Sequence, residues 1–296
     1  MEVLDKRCWL VLGSSGLLGH EIMEALSGTG IHVEAPPRSQ LDVSDSQQLL
    51  EYLETTRPDV IVNSAAWTDV DGAEKDFDTV FRINALSVEV LSEYAFRSGA
   101  TLVHISTGSV FNGTPSRFFG RGSKPNPINQ YNKSKAMAED YCRAAITRGA
   151  KILVVRTYWL YGNAVPNFVD FVAEKARLGE SWSVVEDQWG QPTLASDLAE
   201  ATVWLIRQEN IRGFLHATNR GVTSRLEWVR AIYDILGLDD SLVTATRASN
   251  FGAQAPRPTA CLLRETKLPD GSYLRLRGWD EALKTYLEER YPRETA

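Results

Sequence analysis

The sequence predicts an α/β fold, a doubly wound parallel sheet followed by a smaller, discontinuous C-terminal lobe. Three observations lead there. Short apolar runs alternate with segments of helical spacing through the first half of the chain. A glycine-rich turn joins the first apolar run to the first helical segment. The later apolar runs end in small or hydroxyl-bearing residues, as strand ends facing a ligand crevice do.

Cys8-Trp9-Leu10-Val11-Leu12 reads as a buried strand ended by Gly13. Leu18, Ile22, Ala25 and Leu26 then recur at helical spacing up to Gly28 and Gly30. Between them lies Gly13-Ser14-Ser15-Gly16-Leu17-Leu18-Gly19, spaced Gly-x-x-Gly-x-x-Gly. At a strand-to-helix turn such glycines let the backbone approach a pyrophosphate at the helix N-terminus. Hence the sheet is expected to be Rossmann-like, with Gly13, Ser15, Gly16, Leu17, Leu18 and Gly19 against a dinucleotide. The bland alternative is a tight turn with close helix–strand packing.

Ile31-His32-Val33 is the second expected strand. The following Pro36-Pro37-Arg38-Ser39 has no acid for a ribose 2′-hydroxyl, and Arg38 with Ser39 suits a 2′-phosphate. NADP is therefore favoured over NAD, the alternative being a solvated turn. Asp42 and Val43 are placed at the adenine edge. Val60-Ile61-Val62 is the third strand, and Asn63-Ser64-Ala65-Ala66 after it leaves room for a flat group. A helix is expected from about Asp78 to Ser98, with Val80, Ile83, Val90, Leu91 and Tyr94 turned inward. Leu102 to Ile105 is the fourth strand, ending at Ser106-Thr107; His104 within it reads as a core histidine rather than a base.

A polar loop from Asn112 to Asn129 precedes Gln130-Tyr131-Asn132-Lys133-Ser134-Lys135, with helix expected from Ser134 onward. Tyr131 and Lys135 are four residues apart, one face of a helix. An ammonium beside a phenol lowers its pKa and makes an acid or base for a carbonyl/alcohol centre. With ten tyrosines in the chain, an exposed helix pair is the competing reading.

Ile152 to Val155 is the fifth strand. Beyond Tyr161, helices are expected over Phe168–Leu178, Asp197–Gln208, Leu226–Leu236 and Asp280–Arg290, and a late strand of the same sheet over Gly213–His216. The resulting division is 1–161, with return segments near 194–220, for the dinucleotide domain, and 162–193 with 221–296 for the smaller lobe.

Composition narrows the class. At 43% hydrophobic and 24% charged, the 296 residues are those of a globular chain. A net charge of -6 and pI near 5.4 argue against nucleic-acid or membrane surfaces. The three cysteines show no metal-ligand spacing, no metal site is expected, and reduced thiols point to the cytoplasm.

Together, the glycine turn, Asn63-Ser64-Ala65-Ala66, Ser106-Thr107 and Tyr131-x-x-x-Lys135 resemble the extended short-chain dehydrogenase/reductases. The resemblance is greatest to the dTDP-4-dehydrorhamnose reductase family. It extends through Trp67-Thr68-Asp69-Val70-Asp71 with Glu74, Asn84-Ala85, Arg156-Thr157-Tyr158-Trp159-Leu160-Tyr161-Gly162, Asp187–Thr193 and Arg257-Pro258. It implies NADPH (with NADH as the alternative) reducing the C4 keto group of a nucleoside-diphosphate 4-keto-6-deoxy sugar. Tyr131 would donate the proton, Lys135 would lower its pKa and hold the nicotinamide ribose, and Thr107 would bond the carbonyl oxygen. Asn63, Ala65, Ala66 and Asn84 would join the cofactor site. Trp67, Gly108, Ser109, Trp159 and Arg257 would join the substrate site, with a homodimer as the assembly to test.

The sequence departs from the family twice. Gly108 and Ser109 stand where relatives usually carry Asp-Tyr, so the pocket is either wider or filled from elsewhere. The loop before Tyr131 carries Arg117, Arg121 and Lys124 where many relatives are acidic; it is either a solvated loop or a lid drawn to the substrate pyrophosphate. Two other activities fit the scaffold: a nucleotide-sugar epimerase with tightly bound NAD, and a non-catalytic NADP-binding subunit like the regulatory subunit of methionine adenosyltransferase.

Overall fold

A computed structural model describes residues 7–208 and 210–292. The strands β1 (Cys8–Leu12), β2 (His32–Glu34), β3 (Val60–Asn63), β4 (Thr101–Thr107), β5 (Lys151–Thr157) and β6 (Gly213–His216) form one sheet. Their order is β6-β5-β4-β3-β1-β2, every pair parallel. The chain steps from β1 to opposite neighbours, β2 and β3, so the switch point lies beyond their carboxyl ends.

Apolar residues on both faces of the strands explain two cores. On one face Trp9, Val11, Val62 and Val155 pack under α1 (Leu17–Leu26) and, later in the chain, a helix at Ala195–Ile206. On the other, Leu10, Ile61, Leu102 and Val154 meet α2 (Ser46–Thr56), the long helix ending at Ser98, and the helix carrying Tyr131. The sequence reading omits α2. Its buried core contacts are Leu49 and Leu53, with Tyr52 half-buried beside them, and Asp45 starts it by accepting hydrogen bonds from the backbone N–H of Gln47 and Gln48.

The helix expected over Asp78–Ser98 is α3 (Phe77–Phe81) and α4 (Ser87–Ser98) joined by a π-helical turn at Arg82–Leu86. The helix α5 (Gln130–Thr147) starts four residues before Ser134, because Asn129 caps it by accepting from the Asn132 N–H at 2.8 Å. The second strand is shifted by one residue from the expected Ile31–Val33.

A third core gathers α6 (Phe168–Leu178), α8 (Arg225–Leu236) and α9 (Trp279–Arg290) around Tyr161, Trp228 and Tyr286; the helix at Ala195–Ile206 is α7. Asn167 with Asp170 and Ser224 with Glu227 close α6 and α8 with capping boxes. The boundary at residue 221 needs correcting in one respect. Leu268, Leu274 and Leu276 pack in the α1/α7 core of the main sheet. Among the described residues no helix is long and apolar enough to cross a membrane.

Candidate functional site

A cleft of about 800 Å³ opens beyond the carboxyl ends of the strands, running from the glycine turn to Gln188, Arg225 and Arg257. Its first end is backbone. Gly13 has φ +77°, and a Cβ there would lie 2.7 Å from the Ala65 nitrogen. Gly16 starts α1 without a side-chain cap, and no acid lies in the first turn. The first N–H groups of α1 are thus left for an anion. Ser15, Leu17, Leu18, Ala65 and Ala66 line this end. Arg38, Asp42 and Val43 line it too, with Arg38 at 3.7 Å from Asp42 and its side chain 76% exposed.

Several residues expected at the cleft act from behind it. Gly19 packs against the Gly13 carbonyl, where a Cβ would come to 2.0 Å. Asn63 accepts from the Ala65 N–H and lies 3.4 Å from His104 Nδ1. Asn84, in the π-helical turn, holds the Trp67 backbone at both N–H and C=O and donates to Ser134. Ser39 is exposed and outside the cleft lining. Gly19, Asn63 and Asn84 thus hold backbone behind the cleft lining, and Ser39 lies outside that lining.

Thr107, Tyr131 and Lys135 meet midway along the cleft. The start of α5 is tied down from outside: Gln130 N–H donates to Glu74 and Asn129 donates to the Pro256 carbonyl. Lys135 is 2% exposed; its Nζ donates to the Ile105 carbonyl at 2.7 Å and sits 3.4 Å from His104 Nε2. Burial lowers its pKa to about 8 against a weaker pull from Glu139. His104 is fully buried, its pKa pressed well below 6.5 by desolvation and then by Lys135, so it is a neutral core residue that touches the lysine.

The phenol differs from expectation. Burial raises the Tyr131 pKa to about 12, and the lysine ammonium is committed to Ile105 rather than drawing the phenol down. Tyr131 is thus held protonated, as a donor must be. Thr107 Oγ1 accepts from the Ser109 N–H at 3.1 Å and lies 2.7 Å from Ser109 Oγ. Beneath them Glu139, one turn past Lys135, pairs with Arg156 and accepts from Ser106, all inside the protein.

Gly108 is not part of the cleft lining: a Cβ there would meet the Cys261 carbonyl at 3.2 Å and Leu263 at 3.3 Å. At Gly108 the space is filled from the C-terminal segment, whereas Ser109 beside it faces the cleft. Arg117, Arg121 and Lys124 lie outside the cleft lining; Arg117 stacks on Phe119 and the Arg121 carbonyl accepts from Arg156. All three are exposed in this loop.

Trp67, Ser109, Trp159 and Arg257 line the far end. Arg257 is bidentate to Asp71, which also accepts from the Ala255 N–H at 2.8 Å. Sequence reasoning missed Arg225, Gln188 and Asn132 here, while Thr157 lines the cleft as a strand-end residue should. The Asn132 amide and the Thr157 hydroxyl are buried with no protein partner. Such orphans and the glycine cradle fit a flat dinucleotide. The Ser224-x-x-Glu227 box could have placed Arg225 at a helix start, but not its direction.

The family profile described as RmlD substrate binding domain matches residues 7–291. The chain is 34% identical to the spore coat polysaccharide biosynthesis protein SpsK of Bacillus subtilis, over 95% of this chain and 97% of that one. It is 32% identical to the dTDP-4-keto-6-deoxy-D-glucose reductase of Streptomyces niveus, over 93% and 94%. The fold matches the dTDP-4-dehydrorhamnose reductase of Bacillus anthracis, solved in complex with NADP, at a TM-score of 0.89 and 31% identity, covering 96% of this chain and 99% of that one. With the profile spanning nearly every described residue and the Tyr-Lys-Thr cluster on the cleft wall, the chain belongs to the RmlD-like family of extended short-chain dehydrogenase/reductases.

Proposed function

We propose that this protein is an NADPH-dependent reductase of the C4 keto group of a nucleoside-diphosphate 4-keto-6-deoxy sugar, as in dTDP-4-dehydrorhamnose reduction. The observation that carries the reading is the convergence of Tyr131, Lys135 and Thr107 midway between a glycine cradle and an arginine-bearing end. Names of relatives in deoxysugar reduction support the same chemistry.

The backbone from Gly13 to Leu18 would hold the pyrophosphate, Ala65 and Ala66 the flat rings, and Arg38 the 2′-phosphate. The exposed, 3.7 Å Arg38–Asp42 pair costs little to open, which favours NADPH over NADH. When bound, the dihydronicotinamide supplies hydride to a carbonyl carbon. Tyr131 gives its proton to the oxygen that becomes the alcohol. The Ser109 N–H donates to Thr107 Oγ1, with the Ser109 hydroxyl 2.7 Å away, and together they fix the threonine hydroxyl that would donate to that same oxygen. The Lys135 ammonium, pinned by Ile105, supplies positive charge as the phenol loses its proton. Trp67 and Trp159 would flank the sugar, and Arg257 would meet the diphosphate. Three unbridged cysteines support a reducing, cytoplasmic setting.

The test is NADPH consumption against dTDP-4-keto-6-deoxyhexoses, with Tyr131→Phe as control. The variant should lose about a hundredfold or more in kcat while its NADPH affinity stays within about twofold. A wild type that binds NADPH and turns over no keto sugar would favour the regulatory-subunit activity. Protein that retains NAD through purification and interconverts epimers would favour the epimerase.

A further inference from the structure

Arg225 is the first residue of α8, yet its side chain takes no part in the cap, which Ser224 and Glu227 close between themselves. Its guanidinium lies over the Trp159 ring at 3.9 Å, over Phe168 at 4.5 Å and toward Trp228 at 5.4 Å. The other shielded arginines have acids: Arg156 has Glu139, Arg257 has Asp71 and Arg277 has Asp197. Among the described residues no carboxylate or hydrogen-bond acceptor meets the Arg225 guanidinium.

That arrangement leaves the donors of a half-buried guanidinium free toward the cleft. Aromatic faces stabilise a cation electrostatically but leave its N–H donors unsatisfied. Burial presses the Arg225 pKa down to about 10, so it stays charged at neutral pH, and the nearby Arg257 adds repulsion. The Tyr158 phenol beside it is held well above its ordinary pKa and supplies no counter-charge. The wall is moreover built for this position. Trp159 takes φ +45°, a backbone conformation that bulky residues avoid. Residue 190 must be glycine, since a Cβ there would come within 2.6 Å of the Trp159 ring. These two features lay the indole under the guanidinium, which opens onto the cleft beside Arg257.

We propose that Arg225 is the anion anchor of the substrate end, binding the diphosphate of the nucleotide-linked sugar together with Arg257. The inference rests on the reading of the site as a nucleotide-sugar site. Two guanidiniums on one wall offer donors to both phosphates of a diphosphate, Arg257 already sharing its charge with Asp71 and Arg225 bringing an unshared one. Arg225 then sets affinity for the nucleotide part and leaves the proton-transfer groups alone.

The experiment measures the affinities of dTDP, thymidine and NADPH for the full chain by calorimetry, in wild type, Arg225→Met and Arg225→Lys. Methionine keeps a stem over the aromatic rings and removes the charge; lysine restores the charge. Arg225→Met should weaken dTDP about twentyfold and abolish most of its advantage over thymidine. NADPH affinity should stay within about twofold, KM for the keto sugar should rise in parallel with little change in kcat, and Arg225→Lys should recover about half of the loss on a logarithmic scale. Retention of wild-type dTDP affinity in Arg225→Met would overturn the proposal. So would an equal loss of dTDP, thymidine and NADPH, which would make the residue a packing element, or a wild type that prefers thymidine to dTDP. A wild type that binds dTDP through Arg225 but reduces no keto sugar would sink the reductase and leave the anchor standing.

Discussion

At one end of the cleft the chain meets its ligand with main chain: Gly13 at positive φ, the open N–H groups of α1, and Ala65 directly opposite. At the other end it uses long side chains brought together from distant segments, with Asp71 reaching Arg257 and Arg225 stacking on Trp159. The first end is fixed by adjacent strands β1 and β3 and has no room for an added carbon at Gly13 or Gly19. The second is fixed by ion pairs and aromatic stacking, which adapt to a different ligand through a few substitutions. The contrast implies that the cofactor end and the substrate end can be weakened separately.

Gly13→Ala is the strongest test of that separation. A Cβ would lie 2.7 Å from Ala65 N on a residue at φ +77°, so the turn must shift. Left-handed backbone alone costs about 1–2 kcal/mol, and with the clash NADPH should bind roughly thirtyfold or more weakly. Binding of dTDP should be unchanged. If calorimetry finds both affinities falling together, the two ends are one cooperative unit and the contrast fails.

Asp71→Ala probes the opposite end with a smaller expected effect. It removes the bidentate partner of Arg257 and the acceptor for Ala255 N–H, in a pair whose side chains are 30% and 42% exposed. Partial exposure limits the loss to about 1 kcal/mol, so dTDP affinity should drop about fivefold. NADPH affinity should stay level. Unchanged dTDP binding would show that Arg257 needs no help from Asp71.

The same contrast explains what could be read from the sequence. The glycine turn, each strand end and the Tyr131–Lys135 pair each occupy a few neighbouring residues, and the spacing within each carries its geometry. Asp71 and Arg257 meet across 186 positions, and nothing local to either announces the other. Nothing local in the sequence marks Arg225, because its place depends on Trp159 and Gly190 from other segments. Helix α2 was missed because its only fully apolar anchors are Leu49 and Leu53. Gly108 and Asn84 were placed in the cleft by resemblance, whereas packing on Leu263 and bonding to Trp67 put them behind it.

Between the two ends sits Lys135, and its titration gives the smallest effect and the most specific signature. Burial lowers its pKa from 10.5 to about 8, so it is charged below that value and neutral above it. If the ammonium supports proton donation by Tyr131, kcat/KM should hold to about pH 7 and retain about half its value near pH 8. Stability should move the other way. Between pH 8 and 9 the folded protein holds fewer protons at this site than the unfolded chain, so this group's contribution to stability rises with pH. Cys142 and Cys261, whose thiols burial pushes above 9.0, contribute the opposite sign from about pH 9 upward, which closes the window there. Thermal melts and rates taken together at pH 7, 8 and 9, with Lys135→Met as reference, separate the two. Activity falling while the wild type gains stability relative to Lys135→Met assigns the titration to the lysine. Activity flat to pH 9 would mean that the ammonium charge is not needed midway along the cleft, and that Tyr131 donates its proton without it.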